Sequence, residues 1–147
     1  MSDVGNPLKL AATDEEDIVV LSALLQDAVV SMSEMIYLAT EKRFVLVAHR
    51  FRWEDAGEDK VSGRLYERVR CGISFDKVSA VRRRHLNQSQ RGQMLDLLAL
   101  EATKEYVDLL FAGGPTIRLE VESILCHAED FGDAWPTRWR PAHDEGA

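Results

Sequence analysis

The two cysteines, Cys71 and Cys126, stand far apart and outside any paired-ligand spacing, and a secreted disulfide scaffold would carry more of them. Two reduced, partly buried thiols are therefore predicted. No stretch approaches the roughly 20 apolar residues that cross a bilayer, and the opening MSDVGNPLKL lacks the basic-then-apolar order of a secretory signal. The expectation is a cytoplasmic protein without a membrane partner. Chemistry-bearing motifs are missing too: there is no Gly-x-Ser-x-Gly elbow, no phosphate-cradling Gly-x-x-x-x-Gly-Lys and no dinucleotide-type Gly-x-Gly-x-x-Gly. His49, His85, His127 and His143 are scattered, with no His-x-His pair, so neither a metal site nor a cofactor is expected.

What is present is an ordinary globular composition, 46% hydrophobic and 29% charged over 147 residues. One domain over 1–147 is predicted, with irregular ends at 1–12 and 133–147. The net charge of −7 is unevenly spread: residues 1–41 carry −7, residues 42–91 carry +7 and residues 92–147 carry −7.

Thr13-Asp14-Glu15-Glu16 fits a capping box, and Ile18, Leu21, Leu24, Leu25 and Ala28 recur at helical spacing, so an amphipathic helix is predicted over 14–26. From there the period shifts toward two. Strands are predicted at 29–32, 35–39, 43–53, 65–73 and 75–81, with a polar loop at 54–63. After a second loop at 87–92, the run 93–103 is apolar on both faces and suits a doubly buried strand or a helix. The segments 106–111 and 116–121, joined by Ala112-Gly113-Gly114-Pro115, make the strongest hairpin signal. Ile124, Leu125, Ala128 and Phe131 return to helical spacing before Gly132, which predicts a short C-terminal helix. The expected fold class is α+β, mainly antiparallel β, rolled into a barrel or strongly curved sheet of pleckstrin-homology-like topology.

Seven blocks stand out in order along the chain: Pro7-Leu8-Lys9-Leu10, Asp14-Glu15-Glu16-Asp17, Leu25-Gln26-Asp27-Ala28-Val29-Val30, Glu41-Lys42-Arg43-Phe44, Leu110-Phe111-Ala112-Gly113-Gly114, Ile117-Arg118-Leu119-Glu120-Val121-Glu122 and Arg140-Pro141-Ala142-His143. Together they resemble a bacterial family known only as a domain of unknown function (number 2948). The resemblance spans nearly the whole chain and implies a single domain. It implies no activity.

The basic middle is the most suggestive chemical feature. Arg68, Arg70, Arg82, Arg83 and Arg84 could project from neighbouring strands as an anion-binding face; the competing reading pairs them with acids of the flanking segments. Trp135 and Trp139 are candidates for a partner contact or for covering one end of the fold. The favoured function is a noncatalytic protein-binding or scaffolding module. One alternative is an enzyme or binder acting on a small anionic ligand, with those arginines holding the anion and His85 or His49 as acid-base group. Nucleic-acid binding is a second alternative. A pI near 5.1 counts against it, although Tyr66 shares a side with Arg68 and Arg70.

Overall fold

In the computed structural model, which describes residues 8–51, 68–86 and 92–131, the helix α1 spans Glu15–Leu24 and its cap is Asp14 rather than Thr13. The Asp14 carboxylate accepts from the Asp17 amide at 2.8 Å, and the Asp17 carboxylate accepts from the Thr13 amide at 2.9 Å. The reciprocal bonding expected of Thr13 and Glu16 is thus shifted, because an ionised carboxylate accepts more strongly than a hydroxyl. Ile18 and Leu21 face inward and are buried, each worth about 1.5–3 kcal/mol. Replacing Asp14 with alanine should lower stability by about 1 kcal/mol. An unchanged urea midpoint would show that this first helical turn is uncoupled from the rest of the fold.

Among the described residues, nine strands form one antiparallel sheet: β1 (Lys9–Ala12), β2 (Val29–Leu38), β3 (Arg43–Phe51), β4 (Arg68–Phe75), β5 (Val78–Arg84), β6 (Met94–Ala102), β7 (Tyr106–Phe111), β8 (Thr116–Val121) and β9 (Cys126–Phe131). Their order is β1-β9-β4-β3-β2-β6-β7-β8-β5. The two stretches predicted at 29–32 and 35–39 are one strand, β2, with a register irregularity between Val30 and Met35. Ser31 and Ser33 share a 2.8 Å hydroxyl bond within it. β2 pairs with β6 over Val29 to Ser31 only, while residues from Leu97 onward on β6 pair with β7. β6 is thus the junction of two lobes of the sheet. Their inner faces share one core that includes Phe44, Leu46, Ile73 and Ala128 from one lobe and Leu97, Leu109, Ile117 and Leu119 from the other.

The predicted barrel is not formed. β1 and β5 end the strand order and do not pair with each other, so the sheet stays open. The edges are protected by other means: β1 is only four residues long, and β5 carries arginines. The start of β5 is also fastened. The Val78 amide donates to the Lys42 carbonyl at 2.9 Å, and the Tyr37 hydroxyl donates to the Val78 carbonyl at 2.8 Å.

The predicted C-terminal helix is also absent. Residues Cys126–Phe131 form β9, which lies between β4 and β1. Helical spacing of Ile124, Leu125, Ala128 and Phe131 lost to pairing on both sides, which buries Cys126, Ala128 and Asp130 at a period of two. β1 falls inside the segment expected to be irregular. The hairpin over 106–121 is formed as predicted, with Gly113 and Gly114 at φ of 90° and 110° in its turn. The 54–63 loop, Tyr66 and His143 lie outside the described residues, as do Trp135 and Trp139. No described helix is long and apolar enough to cross a membrane.

Candidate functional site: the basic rim of the sheet

The five candidate arginines stand on two strands that do not pair with each other, β4 and β5, third and ninth in the strand order. Arg68 opens β4 at a register position opposite Phe51. Arg70 lies across from His49 on one side and Phe131 on the other, with its guanidinium 5.1 Å from the centre of the Phe131 ring. His49 reaches Glu34 at 3.5 Å. This Arg-His neighbourhood lies on the outer face of the sheet, away from the shared core, and both side chains are engaged within the fold.

Arg82, Arg83 and Arg84 form the end of β5, at the sheet's rim, and all three are exposed. Alternation sorts them by face. Arg82 and Arg84 lie opposite Arg118 and Thr116 on the outer face, whereas Arg83 lies opposite Ile117 and points to the core side. Two cations directly opposite, Arg82 and Arg118, would destabilise the pairing unless each found an acid. Arg82 takes Glu120 in an ion pair, which raises its pKa. Arg118 binds Asp108 through two bonds of 2.8 and 2.9 Å and stacks 3.7 Å over the Tyr106 ring.

Arg83 and Arg84 have no acid partner among the described residues. Four other cations of the described part of the +7 segment are matched to acids, Arg82 among them. Lys42 pairs with Glu122 at 2.6 Å, Arg43 with Asp76 at 2.7 Å, and Arg50 with Asp130 at 2.7 Å. The pairing reading of the basic middle thus holds for these residues and for Arg82, and stops at the last two residues of β5. His85, immediately after them, is exposed and takes a left-handed φ of 62°, which turns the chain away.

A family model described as a protein of unknown function, DUF2948, matches residues 8–143. The chain belongs to this family. No curated protein and no solved structure gives a significant match. The matched region takes in the helix and all nine strands, so the rim lies within the DUF2948 region.

Two polar arrangements were missed from the sequence. Arg50 is fully buried, and its guanidinium donates to both Asp130 oxygens, Nε to Oδ1 at 2.9 Å and Nη2 to Oδ2 at 2.7 Å. Asp130 Oδ2 also accepts from the Leu8 amide at 2.7 Å, and the Asp130 amide donates to the Leu8 carbonyl at 2.9 Å. A signal existed: Arg50 shares strand parity with Phe44, Leu46 and Ala48, and Asp130 with Cys126 and Ala128, so each interrupts an apolar face. The second arrangement is His127, whose buried Nδ1 has no hydrogen-bond partner among the described residues and lies 3.9 Å from Asp76 Oδ2. That carboxylate is turned to Arg43 instead. Among the described residues, no group of three or more His, Cys, Asp or Glu side chains is placed to hold a metal ion.

Proposed function

We propose that this chain is a noncatalytic protein-binding module that meets an acidic protein surface with the β5 rim. The observation that carries this reading is the exposure of Arg83 and Arg84 without an acid partner among the described residues, in a chain of net charge −7 whose neighbouring cations are paired. Unneutralised guanidinium groups at a rim steer an anionic partner and hold its carboxylates in bidentate bonds. A small-ligand site is less well supported, since Arg70 covers Phe131 and His49 is directed to Glu34. Nucleic acid is disfavoured by the acids interleaved with the same arginines, Glu120 and Asp108.

Fluorescence anisotropy with labelled poly-glutamate, poly-lysine and a single-stranded oligonucleotide tests this reading. Poly-glutamate should bind at low salt, and the R83E/R84E variant should weaken it by about tenfold or more while circular dichroism stays unchanged. Tighter binding of the oligonucleotide, or indifference of poly-glutamate to the double reversal, would refute it.

A further inference from the structure

Building on that protein-binding reading, we infer that the partner is an extended acidic segment that adds to the sheet as a tenth strand, antiparallel to β5 along Ala80 to Arg84. A terminal strand leaves the backbone N–H and C=O groups of alternate residues unpaired along its outer edge, which is a template for strand addition. β5 pairs with β8 alone among the described strands. One end of the available edge is fixed, because Val78 gives its amide to Lys42 and its carbonyl to Tyr37. An incoming strand is therefore stopped there.

The same geometry dictates which side chains fit. Directly opposite residues in an antiparallel pair bring their Cβ atoms to about 4.5–5.5 Å, so each arginine can reach an acid across from it. On the outer face the partner meets Arg82 and Arg84. On the core side it meets Arg83 and then Val81, which is half-buried against the core. Run antiparallel, the fitting segment has three consecutive acids opposite Arg84, Arg83 and Arg82, followed by an apolar residue opposite Val81.

Arg83, on the core-side parity of the strand, also selects against strands of the wrong charge. A basic or neutral strand would bury its charge unpaired, a standard protection of sheet edges. An acidic strand removes that obstacle.

The probe is a fluorescein-labelled peptide, Glu-Glu-Glu-Val-Thr-Thr, with two further versions N-methylated on alternate residues. Strand addition uses the backbone groups of alternate residues only. One methylated version should therefore bind about tenfold or more weakly and the other nearly as well as the parent, with R83E/R84E abolishing binding of both. Equal affinity of all three peptides, with R83E/R84E still weakening them, would overturn strand addition and leave the rim reading standing. Binding indifferent to R83E/R84E would overturn both. A concentration-dependent dimer in sedimentation velocity that R83E/R84E dissolves would make the occupant a second copy of the chain, and would also overturn the inference.

Discussion

Replacing Asp130 with alanine should destabilise the protein by about 3–5 kcal/mol, because it strips a fully buried guanidinium of the carboxylate that receives two of its N–H groups. The cost has a second part. The Leu8 amide loses its acceptor, and with it one of the bonds that seat β1 against β9. Arg50→Met should cost less than Asp130→Ala, since the carboxylate left behind keeps its bond from the Leu8 amide. The double change Arg50→Met/Asp130→Leu should recover much of the loss, because a buried ion pair replaced by apolar groups of similar volume is often neutral or better. Urea midpoints of the unaltered protein, Arg50→Met, Asp130→Leu and the double variant form a double-mutant cycle. Additive single and double losses would show that the two residues do not act as a pair.

Alkaline conditions should unfold the protein through its two thiols. Cys71 and Cys126 are fully buried, and desolvation pushes both thiols well above their ordinary pKa; Asp130 adds to the rise at Cys71, and Cys71 adds to that at Cys126. A group whose native pKa is raised contributes its full stability below its unfolded pKa and loses it as pH climbs toward the native value. The window therefore opens near an unfolded thiol pKa of about 8.5. Between about pH 8.5 and 10 each thiol should remove roughly 1.5 kcal/mol, or about 3 kcal/mol together, as the unfolded chain releases protons that the folded chain keeps. The check is the fall in urea midpoint across that window against the Cys71→Ala/Cys126→Ala protein. Parallel curves would refute the assignment. In the native state both thiols should also resist alkylation at neutral pH, since the thiolate is the reactive species.

The elements legible in the sequence were those whose information is local. Two alternating runs around Gly113-Gly114 can be read without any other part of the chain, and β7 and β8 lie where that pattern puts them. β9 was not legible, because its strand conformation depends on β4 and β1, whose residues lie tens of positions away. Short apolar spacings cannot separate helix from strand where long-range pairing decides. The failure to close had a related cause. Whether the edge strands β1 and β5 meet depends on how β6 joins the two lobes, which no residue pattern announces. For the candidate site, the arginine run of β5 is visible as composition, but that β5 pairs with β8 and not with the strand of Arg70 is not. Arg50 is hidden for the opposite reason: in composition it is one more base, and only its strand parity places it inside.

The pairing of β1 with β9 also bears on how the chain is made. Ala12 finds its partner in Cys126, so the first strand has nowhere to dock until the last one has been synthesised. At about 5–20 residues per second, the wait between them is roughly 6–23 s. During that time Lys9–Ala12 is an unpaired strand, and the partner acceptor for Leu8 does not yet exist. Its shortness and the lysine at its start then have a second use: they keep nascent copies from joining through this segment while it waits.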